Sequence, residues 1–126
     1  MCIRDSGEGG TVVGAQLTGR VIIIDDVITA GTAIGESMDI IESAGAQAAA
    51  VIVALDREEI VSDQGQSAIT LIRERYDLPV HVIARFSTLI ETLRTKPDHK
   101  QHLDALEAYR NRYGDPAATG NTFQST

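Results

Sequence analysis

Tryptophan is absent from the 126-residue sequence, phenylalanine occurs twice, tyrosine three times and cysteine once. An interior with so few rings must be built from aliphatic side chains. The single cysteine, Cys2, can form neither an internal disulfide nor a thiolate metal cluster, which excludes an oxidised scaffold and a zinc site of that kind. Positive charge is scarce as well: 11 Lys and Arg stand against 18 Asp and Glu, a net charge of -7. That sign is wrong for a protein that tracks a nucleic-acid backbone, so no nucleic-acid partner is expected. Long apolar runs are missing too. The longest, Val21 to Ile24 and Ala48 to Leu55, are far too short to cross a bilayer, and no basic-then-apolar leader opens the chain. A cytoplasmic protein with no membrane partner is therefore expected, of a length that suits one globular domain.

What is present is a regular alternation. Arg20 to Asp25, R-V-I-I-I-D, is an unbroken β-branched run of the kind found in a strand buried on both faces of a parallel sheet. After it, Ile34, Met38 and Ile41 recur at helical spacing up to Gly45, a plausible helix stop. Ala48 to Leu55 repeats the strand signature, Ala68 to Tyr76 reads as a second helix beyond a Ser62 to Gly65 loop, and Val80 to Ala84 is a third strand. Strand, helix, strand, helix, strand predicts an α/β fold: a parallel sheet with flanking helices, on both faces. Ser87 is expected to cap a helix carrying Leu89, Ile90 and Leu93, and Asp98 with Gln101 resembles a capping box for another through Tyr113. Residues from Gly114 on are poor in core formers and read as a disordered tail, while Met1 to Gly10 holds three glycines without periodicity and reads as a loop.

The chemistry is concentrated in Ile22 to Ala33, I-I-I-D-D-V-I-T-A-G-T-A, where a strand ends in two carboxylates and turns through small residues into a helix. Open parallel sheets bind ligands at that edge. Thr29, Ala30, Gly31 and Thr32 can aim backbone N–H groups, two hydroxyls and a helix N-terminus at one point, which suits a phosphate dianion. Asp25 and Asp26 can accept hydrogen bonds from sugar hydroxyls or hold a hard divalent cation through water. Phosphate, hydroxyls and magnesium together point to a sugar phosphate. The Walker A and dinucleotide fingerprints are both absent, which disfavours nucleoside triphosphates and dinucleotides. The acidic pair by itself is equally consistent with ordinary turn chemistry.

Val21 to Ala33 resembles the phosphoribosyl pyrophosphate (PRPP) motif of type I phosphoribosyltransferases, in the D-D-V-I-T-A-G-T-A form of the orotate phosphoribosyltransferase family. The similarity continues through G-E-G-G at Gly7 to Gly10, L-T-G-R at Leu17 to Arg20, A-L-D-R-E-E at Ala54 to Glu59 and K-P-D-H-K-Q-H-L-D-A-L-E-A-Y-R at Lys96 to Arg110. The resemblance implies transfer of a phosphoribosyl group from PRPP to orotate in pyrimidine biosynthesis. It implies that Thr29 to Ala33 bind the 5′-phosphate, that Asp25 and Asp26 face the ribose, and that Val27 and Ile28 complete the PRPP loop. Thr29 and Arg57 would contact orotate, Arg57 through its carboxylate. Mg²⁺ would be held mainly by PRPP, with Asp25 or Asp26 in reach, and the full-length protein would be a homodimer.

The chain departs from the family at its start. M-C-I-R-D-S stands where the family has a mobile loop rich in Arg, Lys and His, and no catalytic role is carried onto it. The resemblance thus divides the chain into a loop remnant (1–10), the C-terminal part of a phosphoribosyltransferase domain (11–113) and the tail (114–126). An N-terminally truncated chain, inactive alone, is expected. Two other readings compete: a PRPP-sensing regulator on the same fold, against which Arg57 and the acidic balance speak, and a phosphoacceptor receiver domain with Asp56 as a further acid. His81, His99 and His102 lack a ligand set and are expected to be structural, as Cys2 is expected to be incidental.

Overall fold

The computed structural model describes residues 3–4, 11–12, 14–29 and 31–116. Two short strands, β1 (Ile3–Arg4) and β2 (Thr11–Val12), pair antiparallel, so part of the segment read as loop is a hairpin. The main sheet has three parallel strands in the order β3 (Arg20–Val27), β4 (Gln47–Asp56), β5 (Val80–Arg85). Helix α1 (Thr32–Ser43) connects the first two strands and α2 (Ala68–Tyr76) the second two. Then follow α3 (Phe86–Arg94), a 3₁₀ turn (Pro97–His99) and α4 (Lys100–Tyr113).

The expected parallel sheet with flanking helices is present. The expectation of burial on both faces fails for β3, whose exposure alternates. Ile34 and Ile41 of α1, Ile69 and Ile72 of α2, and Ile23, Val51 and Val53 of the strands all belong to one buried cluster. Strand order explains this: when successive parallel strands are added in one direction, right-handed crossovers put both connecting helices on the same face. The residues that point the other way stay open, with Ile24 and Ile83 about three-quarters exposed (76% and 77%). Ile22 is paired with Ala50 and Ile24 with Ile52, so the open side of the sheet carries an apolar strip.

The helix ends agree with expectation at Gly45 and depart from it at both expected N-caps. Gly45 stops α1 as expected: its φ is 73°, its N–H donates to Glu42 O at 2.9 Å, and Ala46 N–H donates to Ile41 O at 3.0 Å, the paired bonds of a Schellman motif. Ser87, expected to cap α3, lies inside that helix, and Asp98 lies in the 3₁₀ turn, with His99 at the N-cap of α4 and no side-chain cap bond. The sequence placed these caps by local pattern, but β5 runs directly into α3 and its cap arrives from elsewhere in the chain. Gly114 and Asp115, assigned to the tail from sequence, are paired: Gly114 bridges to Glu59 and the Asp115 N–H donates to the Glu58 carbonyl at 2.7 Å. Residues 117–126 lie outside the described residues, as do Met1, Cys2 and 5–10.

Candidate functional site

The carboxyl ends of β3 and β4 lie side by side, with Val27 in register with Leu55. The loops that follow, one leading to α1 and the other carrying Arg57, therefore emerge at one edge, one strand spacing apart (~4.8 Å). A cavity of about 300 Å³ opens there, lined by Asp25, Val27, Ile28, Thr29, Gly31, Thr32, Ala33, Ile34 and Glu36. Ile28 and Ile34 are buried and anchor the loop at both ends, whereas Thr29 and Thr32 are exposed and present their hydroxyls. Gly31 is the N-cap of α1 with φ 75° and ψ 4°, and its carbonyl accepts from Gly35 N–H at 3.1 Å. A Cβ there would meet only Ile72 at an ordinary 3.5 Å, so the left-handed conformation, and not lack of space, calls for glycine. No side chain caps α1, which leaves its first N–H groups turned toward the cavity side.

The two aspartates differ. Asp25 lines the cavity and is partly buried, and its Oδ1 accepts from Asp26 N–H at 2.9 Å. Burial pushes its carboxyl above the ordinary value; the Asp26 N–H pulls the other way, and the Asp26 carboxylate adds to the rise. Asp26 does not line the cavity, and its Oδ1 accepts from Val27 N–H at 2.7 Å, as local turn chemistry would have it. Ala30 lies outside the described residues.

Arg57 does not line the cavity either. Its Nε donates to Glu59 Oε1 at 2.8 Å, its Nη2 lies 2.6 Å from the same oxygen, and Nη2 also donates to the Tyr109 hydroxyl at 2.8 Å. Glu59 and Tyr109 together hold the guanidinium charge above its ordinary affinity for a proton. The remaining acids of D-R-E-E shape the turn. Asp56 Oδ1 accepts from Glu58 N–H at 2.9 Å, an engagement that the receiver reading does not need. Glu58 sits at φ 53° and is only 4% exposed. Its carboxylate accepts from Ser87 N–H at 2.8 Å and Ser87 Oγ at 2.9 Å, which supplies the missing cap of α3. Glu36, Glu58, Glu59 and Tyr109 were not singled out from sequence. The D-R-E-E string held the only local signal, since Tyr109 lies 50 residues from Glu59.

Among the described residues no group of three or more His, Cys, Asp or Glu side chains is placed to hold a metal ion. His81 is exposed on β5, and the rings of His99 and His102 lie 6.2 Å apart.

No protein-family model matches the chain. Curated relatives do. Orotate phosphoribosyltransferase of Methylococcus capsulatus is 51% identical over 111 residues, covering 88% of this chain and 51% of the relative. That of Thioalkalivibrio sulfidiphilus is 52% identical over 111 residues, with 88% and 52% covered. Among solved structures, the orotate phosphoribosyltransferase of Francisella tularensis superposes with a TM-score of 0.66 at 35% identity, covering 81% of this chain and 50% of that one. This chain spans about half the length of the curated relatives it matches. With that sequence identity and a parallel sheet that superposes on a solved member, the chain belongs to the orotate phosphoribosyltransferase family.

Proposed function

We propose that this chain carries the phosphoribosyl-binding part of an enzyme that transfers the phosphoribosyl group of PRPP to orotate, giving orotidine 5′-monophosphate and pyrophosphate. The observation that carries this reading is the β3–α1 cavity, where Asp25, Thr29, Gly31 and Thr32 converge beside an uncapped helix N-terminus. Thr29 to Ala33 receive the 5′-phosphate, Val27 and Ile28 hold the loop in place, and Asp25 and Asp26 take the ribose hydroxyls. Arg57, on the loop after the neighbouring strand, receives the orotate carboxylate.

The lining includes two carboxylates, Asp25 and Glu36, and no Lys or Arg. A polyanion is best received there together with a divalent cation, so the donor set fits Mg²⁺ brought in on the diphosphate and touched by Asp25 or Asp26 through water. When bound, Mg²⁺ neutralises the departing pyrophosphate. The chain's own residues supply position, which is where most of the rate in such a transfer comes from. A cytoplasmic homodimer belongs to the same reading; among the described residues no helix is long and apolar enough to cross a membrane.

Titration of the chain with ribose 5-phosphate tests the loop. Thr32→Ala removes a hydroxyl donor and Gly31→Val forces a β-branched residue into the left-handed region. Each is expected to weaken binding roughly tenfold or more, the worth of one hydrogen bond to a charged group. Parent-like affinity in both variants would overturn the assignment.

A further inference from the structure

Arg57 is not a free side chain waiting for a ligand. A guanidinium has five N–H donors. Nε–H donates to Glu59 Oε1, which also lies 2.6 Å from Nη2 as an ion pair, and Nη2 donates to the Tyr109 hydroxyl. The Tyr109 O–H in turn donates to the same Glu59 oxygen at 2.5 Å, which closes the three side chains into a ring. Nη1 alone has no partner among the described residues. Tyr109 is itself held: its ring stands edge-on to Phe86 of α3 at 6.0 Å and against Tyr113 of α4 at 4.8 Å. Glu59 is fixed by its backbone, bridged to Gly114.

The geometry points to Tyr109 and Glu59 as positioning residues that grip Arg57 by its Nε/Nη2 edge and leave Nη1 as the end offered to a ligand carboxylate. This inference rests on the reading of Arg57 as the orotate-carboxylate receptor. An ion pair as exposed as Arg57 with Glu59 contributes little to stability. Its role here is direction. A long side chain surrenders its rotamer freedom when it binds, and one already held has surrendered it beforehand, so affinity for the carboxylate rises. Tyr109 extends that grip to the last helix, 52 residues from Arg57 in the chain.

Orotate and uracil, the same ring without the carboxylate, are titrated separately against the parent chain and its variants. Tyr109→Phe keeps the ring and every formal charge and removes only the hydroxyl. It is expected to weaken orotate roughly 3- to 10-fold and leave uracil and ribose 5-phosphate unchanged. Glu59→Ala and Glu59→Gln both delete the charge, but only glutamine keeps an acceptor oxygen, so Glu59→Gln should bind orotate several-fold more tightly than Glu59→Ala. Equal losses for all three ligands in Tyr109→Phe would mark a merely structural residue and overturn the inference. So would parent-like orotate affinity in Tyr109→Phe while Arg57→Ala loses it. If Arg57→Ala binds orotate as the parent does, or the parent prefers uracil, the Arg57 reading falls and the inference with it.

Discussion

Ionising Asp25 works against the fold. Its carboxyl is raised above the ordinary 3.8 chiefly by burial, so the folded chain favours the neutral form. The sign follows from linkage: the favourable contribution is complete below the unfolded value and is lost as pH rises through the folded one. At neutral pH the folded chain therefore holds a charge it would shed more readily than the unfolded chain does. Asp25→Asn, which is neutral throughout, should be more stable than the parent at pH 7, by roughly 1–3 °C in Tm, and the gap should close toward pH 3. Thermal unfolding at pH 7, 5 and 3 measures it, and an Asn variant less stable at pH 7 would contradict the attribution to burial. On the proposed reading of the loop, the same substitution should weaken ribose 5-phosphate binding.

At the scale of elements, Glu58 joins the β4 loop to α3. The buried carboxylate satisfies Ser87 N–H and Oγ, and its backbone is held at a positive φ that suits glycine. Removing the carboxylate leaves the half-buried Ser87 N–H and Oγ at the start of α3 unpaired, so Glu58→Ala is expected to cost about 2 kcal/mol. Glu58→Gly loses the same bonds but relieves the backbone, and should be more stable than Glu58→Ala by about 1 kcal/mol, the reverse of the usual order of these two residues. Chemical denaturation of both variants checks this. Elements with a local signal were legible in the sequence: β3, β4 and β5 from their apolar runs, α1 and α2 from their spacing, and the Gly45 stop from its type. The loop between β3 and α1 was legible for the same reason, since one contiguous segment builds it. The cap on α3 was not, because its donor and acceptor lie 29 residues apart, and neither was the grip on Arg57. The one-sided burial of β3 depends on strand order, which no single strand's sequence encodes.

For the whole molecule, the open side of the sheet dominates behaviour in solution. Ile22, Ile24 and Ile83 leave an apolar strip uncovered, a surface larger than isolated exposed residues would make. The chain is expected to bind an apolar dye such as ANS and to self-associate as concentration rises. Ile24→Lys combined with Ile83→Lys should suppress both, read by dye fluorescence and sedimentation velocity, while ribose 5-phosphate binding, proposed for the cavity at the carboxyl end of β3, stays as in the parent because both side chains lie on the open face of the sheet. A sedimentation profile independent of concentration in the parent would sink the idea.

The lacing of Glu58 and Ile60 to Tyr113 and Asp115 has a consequence for the order of events during synthesis. The three strands of the main sheet and both crossover helices are complete once Arg85 has been made, and the β3–α1 loop can form with them. The turn that carries Arg57 cannot. Its backbone pairing with Tyr113 and Asp115, and the hydrogen bond of Arg57 to Tyr109, form only after α4 has left the ribosome and folded back. A nascent chain would thus complete the β3–α1 loop, proposed for the phosphate, well before the Arg57 turn proposed for the carboxylate, and the two would mature at different times.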